Sequence, residues 1–218
     1  MKLTIFNGSP RGKNSNSAIL AKWIMEGADI ECEEVYLAKI KEHELYAQKF
    51  AESDIDLLIF PLYTDSMPGI TAAFIEELQP YAGRMEGKKL GFIVHSGFPE
   101  AYHSRHIERY LIRLAEKLGA DYIGTAVMGS SEGTRLTPES YQNKKRERFK
   151  RLGESMIKNG AFDVTTLGEL ARPEKIKGAE LTLYKTAQRL GILSMYFKIL
   201  LKKNNVHKSS FARPYANE

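Results

Sequence analysis

Short apolar segments alternate with amphipathic segments along most of this chain, and this alternation constrains the fold more than any other feature of the sequence. Residues 57–62 are almost wholly apolar, which is typical of a strand buried on both faces of a sheet. Residues 102–118 instead carry apolar side chains at helical spacing. Strands that alternate with helices predict a parallel sheet covered on both faces. The predicted strands are residues 3–6, 34–37, 57–62, 90–94 and 122–128, and the predicted helices are 17–27, 41–52, 70–78, 102–118 and about 138–158.

Five strands within 218 residues predict a doubly wound α/β sheet. Sheets of this kind bind ligands at the carboxyl ends of their strands, beside the point where the strand order reverses. The loops after the first, third and fourth strands are therefore the candidate binding segments.

The loop after the first strand, residues 8–17, reads GSPRGKNSNS. Its hydroxyls, amides and two cations precede a helix, and the N-terminus of a helix favours anions. A P-loop is excluded, because three residues instead of four separate Gly8 from Gly12 and because Asn14 follows Lys13. The dinucleotide fingerprint is also absent. Two interpretations stay open here, a phosphate site or a simple helix cap formed by Ser15 or Ser17.

The loops after the third and fourth strands read PLYTDSMPG, residues 61–69, and HSGFPE, residues 95–100. Two prolines stiffen the first loop, and small residues turn the second. Each loop taken alone also fits ordinary local packing. A lone histidine at a strand end is more often structural than catalytic, so His95 and His103 are not assigned as acid or base, and no catalytic residue is predicted.

Together these three loops resemble those of the NADPH-dependent FMN reductase family, a flavodoxin-like group that includes the iron–sulfur flavoproteins. The resemblance covers about residues 1–130 and implies a flavodoxin-like, doubly wound, five-stranded parallel sheet with FMN as cofactor and NAD(P)H as electron donor. It implies phosphate contacts from Ser9, Arg11, Ser15, Asn16 and Ser17. It implies contacts to the flavin ring from Pro61, Leu62, Tyr63, Thr64, Ser66, Met67, Ser96, Gly97 and Phe98. Relatives often carry a bulky aromatic residue where this chain has Thr64, and glycine where it has Asp65.

Cys32 is the only cysteine of the chain. Iron–sulfur flavoproteins carry a cysteine cluster between strands two and three, and residues 38–56 contain no cysteine. Such a cluster needs four thiolates, so the chain resembles the flavin part of that group without the cluster. This favours NAD(P)H as the donor, and no metal site is predicted.

The resemblance implies an FMN-dependent NAD(P)H oxidoreductase that passes electrons to a flat small-molecule acceptor, such as free flavin, a quinone, or a nitro or azo compound. The alternative is a flavodoxin-type electron carrier that binds FMN without a substrate of its own. Carriers are usually acidic and end near the fifth strand, so the basic C-terminal extension counts against this alternative. A third interpretation is an interaction module that has lost its cofactor.

The net charge of +5 is unevenly distributed. Residues 1–140 carry a net charge of −5 and residues 141–218 a net charge of +10. We therefore predict a flavodoxin-like FMN-binding domain over residues 1–158 and a basic helical extension over 159–218. Within the extension, residues 190–201 are apolar around nearly the whole helix, which predicts burial. Packing on the body or on a second subunit is favoured, which predicts a homo-oligomer and most simply a homodimer. A flavin lid and contact with an anionic membrane surface are the other interpretations.

The N-terminal residues enter a strand-like run at once and lack a charged leader followed by a long apolar segment. No run of 18 apolar residues exists. The sequence therefore predicts a cytoplasmic protein. The basic residues 144–150 are interpreted as a solvated helix face, and no nucleic-acid partner is predicted.

Overall fold

The computed structural model of the chain describes residues 1–135 and 137–213. Its centre is a sheet of five parallel strands in the order β2-β1-β3-β4-β5. The central strands are buried along nearly their whole length, as their continuous apolar sequences predict. The doubly wound, flavodoxin-like sheet predicted from the sequence is thereby confirmed. The strands are β1 Leu3–Asn7, β2 Cys32–Tyr36, β3 Ile55–Pro61, β4 Lys89–His95 and β5 Asp121–Met128.

The helices depart from the sequence-based bounds at three places. Helix α4 begins at His106 because residues Ala101–Ser104 form a separate 3-10 turn. Helix α5 begins at Asn143, after another such turn over Glu139–Tyr141. Helix α6 was not predicted, because its seven residues are too few for a clear helical period. The helices are α1 Asn16–Ala28, α2 His43–Glu52, α3 Gly69–Glu77, α4 His106–Leu118, α5 Asn143–Asn159, α6 Val164–Leu170, α7 Gly178–Arg189 and α8 Ile192–Lys203.

Two apolar layers sandwich the sheet. One layer buries side chains of α1, α5 and α6, and the other buries side chains of α2, α3 and α4. Glycines bring α1 and α5 unusually close together, since a Cβ on Gly153 would lie 2.3 Å from the carbonyl oxygen of Ile24. Any larger residue at this position would force the two helices apart. The layers thus hold the strand ends, and the loops that follow them, at fixed positions.

The chain divides into two compact units, Met1–Lys175 and Ile176–Glu218. The first unit continues past the domain boundary predicted at residues 158 and 159 and includes α6, which packs against α5 and β5. The second unit contains α7 and α8. Burial was predicted for residues 190–201, but the described side chains of α8 are exposed or half-exposed. Within residues 1–135 and 137–213, no helix is long and apolar enough to cross a bilayer.

Candidate functional site

A small pocket lies where the strand order reverses. Strands β1 and β3 are neighbours in the sheet, and β4 follows β3, so the loops after these three strands emerge side by side. They enclose a cavity of about 40 Å³. Its lining consists of Ser9, Arg11, Asn16, Pro61, Leu62, Tyr63, His95, Ser96, Gly97, Ser131 and Glu132. The pocket is therefore at the position that the topology of the sheet predicts for a ligand.

Asn7, the last residue of β1, fixes the loop that follows it. Its side-chain oxygen accepts a hydrogen bond from the backbone N–H of Ser9, at 3.0 Å. Its amide nitrogen donates to the Ser15 hydroxyl and to the Glu34 carboxylate, at 3.3 and 2.8 Å. Burial raises the pKa of Glu34, while the hydrogen bond from Asn7 opposes this effect. Asn7 was not among the predicted site residues, although its place between a buried strand and a Gly-Ser turn is a usable signal.

Gly8 is required by close packing against α3. A Cβ at this position would lie 2.2 Å from the hydroxyl oxygen of Thr71. That hydroxyl donates a hydrogen bond to the Gly8 carbonyl oxygen at 3.1 Å. The loop is thus held against the sheet from one side by Thr71 and from the other by Asn7.

Helix α1 begins directly behind this loop. The Ser15 hydroxyl accepts from the Ala18 N–H and donates to the Gly12 carbonyl oxygen, at 3.1 and 2.6 Å. Ser15 is therefore the helix cap that was one of the two open interpretations, and its single hydroxyl proton is already used. The N–H groups of Asn16 and Ser17, in the first turn, have no partner inside an α-helix and favour an anion at this end.

Two side chains of the loop can still bind an anion. Buried Ser9 accepts the Arg11 N–H at 3.3 Å, which leaves the hydroxyl proton of Ser9 available to donate. The exposed guanidinium of Arg11 also lines the pocket and forms no salt bridge within the described part of the chain. A hydroxyl, a guanidinium and the amides of a helix N-terminus form a donor set suited to a phosphate group.

The loop after β5 closes the pocket from the side that sequence reasoning did not consider. The Asn16 side chain donates to the Ser131 carbonyl oxygen at 2.8 Å and accepts from the Arg135 N–H at 3.1 Å. Asn16, predicted to contact phosphate, therefore ties two loops together. Ser131 and Glu132 reach the lining because β5 pairs with β4, and that strand order is a property of the assembled sheet.

His95, the last residue of β4, connects the same two loops underneath the pocket. Its Nε2 lies 2.8 Å from the Ser17 hydroxyl and its Nδ1 lies 2.9 Å from the Ser131 hydroxyl. Burial lowers the pKa of His95 to about 4, so the ring is neutral at neutral pH. One ring nitrogen then donates and the other accepts, and both are engaged by serines. This arrangement suits a tether between loops better than a proton donor.

The buried hydroxyl of Ser96 has no hydrogen-bond partner among the described residues. The side chain of Ser96 is 2% exposed. A buried hydroxyl without a partner costs free energy unless a ligand satisfies it. Next to it, a Cβ on Gly97 would have ordinary contact distance to Glu132, so this edge of the pocket is not crowded.

A strained turn follows β3 at the pocket rim. Tyr63 and Ser66 exchange two backbone hydrogen bonds of 2.8 and 3.1 Å. Thr64 and Asp65 between them have φ values of 48° and 62°, a backbone conformation that favours glycine and disfavours a β-branched residue. His106 hydrogen-bonds to the Asp65 carbonyl oxygen and holds the turn from α4. Strain of this kind is concentrated at functional sites.

Eight of the predicted site residues line the pocket, and the others lie around it. Ser15 and Ser17 are occupied by the helix cap and by His95, as described above. Thr64 and Ser66 are exposed in the strained turn. The Met67 side chain packs against the apolar layer beneath α2, α3 and α4. The Phe98 ring packs against His103, with 4.8 Å between the ring centroids.

A larger cavity lies elsewhere in the body. It measures about 540 Å³ and is lined by both apolar and charged side chains, which come from the end of α3, the residues after it and α4. In a parallel sheet, these helix ends lie towards the amino ends of the strands, opposite the polar pocket. Across residues 1–135 and 137–213, no three His, Cys, Asp or Glu side chains are grouped as a metal site would need.

The fold is shared with several solved enzymes. An FMN-dependent NADH-azoreductase from Bacillus anthracis str. Ames Ancestor, solved with FMN, is 14% identical, with a TM-score of 0.54 over 72% of this chain and 100% of that chain. An NADPH-quinone reductase from P. pentosaceus is 17% identical, with a TM-score of 0.55 over 69% and 96%. An NADH:FMN oxidoreductase in its apo form is 15% identical, with a TM-score of 0.57 over 79% and 96%.

At these identities the likeness shows the fold alone, and no curated protein matches the chain. A family model, described as flavodoxin-like fold, matches residues 1–154. The match spans every strand of the sheet and every residue of the pocket lining. The chain therefore belongs to the family of flavodoxin-like fold proteins.

Proposed function

We propose that the polar pocket binds FMN and that the protein is an FMN-dependent NAD(P)H oxidoreductase. The observation that carries this proposal is the unpartnered, buried hydroxyl of Ser96, because it lies in the same pocket lining as Ser9 and Arg11. The loop after β1 offers hydrogen-bond donors for a phosphate, and the loop after β4 offers a hydroxyl without a partner. Together they suit a ligand that has an anionic end and a ring with a polar edge. The FMN and nicotinamide named for the structural neighbours support the same choice.

The residues of the pocket divide into two groups by their chemistry. Ser9, Arg11 and the first amides of α1 would bind the phosphate. Ser96, Gly97 and the segment 61–63 would bind the ring, with buried Pro61 and Leu62 giving that segment a fixed path. FMN, when bound, supplies the hydride chemistry, and the protein binds and orients the reactants. No side chain of the pocket is proposed as a catalytic acid or base, since His95 is neutral and engaged on both sides.

The acceptor is proposed as a flat small molecule. Neighbours are named as azoreductase, quinone reductase and FMN oxidoreductase, so azo compounds, quinones and free flavin are the candidates to assay. A cytoplasmic location and a homo-oligomeric state remain predictions from the sequence.

Flavin fluorescence quenching and anaerobic reduction test this function. We expect the full-length protein to bind added FMN in a one-to-one complex and NADH or NADPH to bleach its absorbance. FMN binding without reduction by either nicotinamide would indicate the flavodoxin-type carrier. Failure to bind FMN would overturn both assignments and favour an interaction module.

Arg11→Ala tests the phosphate group directly. We expect FMN affinity to fall by about tenfold to a hundredfold, since a charge-assisted hydrogen bond contributes about 1.5–3 kcal/mol. Arg109→Ala, at an exposed arginine of α4 outside the pocket, is the matched control and should bind FMN like the wild type. Equal affinities of the Arg11 variant and the control would refute the phosphate assignment.

A further inference from the structure

The unit formed by Ile176–Glu218 holds all of the chain's excess positive charge. It contains eight Lys and Arg but two Asp and Glu, a net charge of +6, whereas residues 1–175 carry a net charge of −1. Four of these cations form two pairs one helical turn apart, Lys185 with Arg189 on α7 and Lys198 with Lys202 on α8. None of these four forms a salt bridge with another residue of the described ranges. This unit therefore presents uncompensated positive charge.

The same unit also exposes large apolar side chains. Leu190, Ile192, Met195 and Ile199 are 71%, 54%, 58% and 62% exposed. Ile192, Met195 and Ile199 are three and four residues apart and share one side of α8, directly beside Lys198 and Lys202, while Leu190 precedes the helix. A contiguous apolar surface of this kind marks an interaction site.

Cations and apolar side chains on one short helix restrict the choice of partner. A nucleic acid would neutralise the lysines but would leave the aliphatic side chains in water. A second copy of this unit would cover the aliphatic side chains but would bring another +6 beside the first. The interface of an anionic bilayer accommodates both, since its headgroups attract the lysines and its acyl boundary accepts the apolar side.

We propose that Ile176–Glu218 binds anionic lipid bilayers, with α8 lying in the plane of the headgroups. The helix has 12 residues and is about 18 Å long, shorter than the hydrocarbon core of about 30 Å, so it lies on the membrane and does not cross it. Lysines at the helix side extend to the headgroups while the aliphatic side chains enter the boundary. Membrane binding by this unit requires no bound cofactor.

Vesicle co-sedimentation of the full-length protein tests the proposal. We expect binding to vesicles of equimolar phosphatidylcholine and phosphatidylglycerol, and little binding to phosphatidylcholine alone. Raising the salt concentration from about 0.1 M to 1 M shortens the Debye length from about 10 Å to 3 Å and should release most of the bound protein. Absence of binding to the anionic vesicles at low salt would overturn the proposal.

Two double variants separate the contributions of charge and apolar surface. Lys198→Glu with Lys202→Glu should lower the vesicle partition coefficient by at least about tenfold, and Met195→Ser with Ile199→Ser should also lower it. Lys144→Glu with Lys158→Glu makes the same charge change at exposed positions of α5 and should bind like the wild type. Circular dichroism checks that every variant is folded.

Equal losses for the α8 charge variant and the α5 control would show that net charge alone drives binding, and would refute the assignment to α8. Sedimentation velocity without lipid gives the competing outcome. The wild type could prove to be a dimer that Met195→Ser with Ile199→Ser converts to a monomer, with neither protein binding to vesicles. In that case a second copy covers this surface and the proposal is wrong.

Discussion

The amino and carboxyl ends of the sheet differ in the kind of polar group that they bury. At the amino end, the Asp56 carboxylate and the Lys88 ammonium are buried together, with 3.3 Å between Oδ2 and Nζ. Lys88 also donates to the carbonyl oxygen of Ser53, and the Ser53 hydroxyl donates to Asp56. At the carboxyl end, the buried groups are neutral, and Ser96 has no partner in the described residues. The buried charges of the amino end are thus paired within the protein, whereas the unpartnered hydroxyl of Ser96 at the carboxyl end lies in the lining of a pocket.

The two ends also differ in what burial does to their ionisable groups. Burial raises the pKa of Asp56, while the Lys88 ammonium and the Ser53 hydroxyl oppose this effect. Burial lowers the pKa of His95 to about 4, so the unfolded state binds a proton below about pH 6.5 that the folded state does not bind. The contribution of the neutral His95 to stability is therefore lost as the pH falls towards 4.

Lys88→Met should have the largest effect on stability. Removing one partner of a buried ion pair costs about 3–5 kcal/mol, because the remaining charge is uncompensated. Urea unfolding measures the loss, and Lys89→Met, at the neighbouring half-buried lysine, is the control. If the Lys88 and Lys89 variants are equally stable, the charge pair does not hold the amino end. FMN affinity should be unchanged in a folded Lys88 variant, since the pair lies opposite the pocket.

His95→Gln should alter the acid side of the stability profile. In the wild type, the free energy of unfolding should fall by up to about 3 kcal/mol between pH 6.5 and pH 4 because of this one residue. The variant should lose most of this pH dependence, measured by urea unfolding at a series of pH values. His103→Gln, at a half-exposed histidine outside the pocket, serves as the reference. An unchanged acid slope in the His95 variant would show that the ring is not held neutral by burial.

Ser96→Ala should give the smallest change and bears most directly on the ligand. Without FMN, loss of a buried hydroxyl that has no partner should leave stability unchanged or raise it by about 1 kcal/mol. FMN affinity should fall by about fivefold, the effect of one hydrogen bond. Thr4→Val removes another buried, unpartnered hydroxyl, in β1 and outside the pocket. That variant should bind FMN normally, and equal FMN affinities of the two variants would exclude Ser96 from the site.

Much of the site could be predicted from local sequence. The apolar run before Gly8 and the polar residues after it identify a loop between a buried strand and a helix, whichever fold surrounds it. The prolines at 61 and 68 likewise mark a stiff connection. The sequence could not show that Ser15 would use its only proton inside the loop, because the position of the Gly12 carbonyl depends on the turn that the chain adopts.

Two of the residues that were not predicted, Ser131 and Glu132, share one physical reason. Ser131 and Glu132 are far from Ser9 in the chain and reach the pocket only because β5 lies beside β4. His95 was not assigned a catalytic role from the sequence, and its link between Ser17 and Ser131 could not be predicted, because it depends on the same strand order.

The sequence by itself determined the alternation of strands and helices, the polar loops and the concentration of positive charge near the C-terminus, because each depends on neighbouring residues and their periodicity. Only the tertiary structure decided which hydroxyl would be left without a partner and which loops would meet. Hydrogen-bond partners in a parallel sheet come from segments far apart in the chain, and their pairing is fixed only when the whole sheet has assembled.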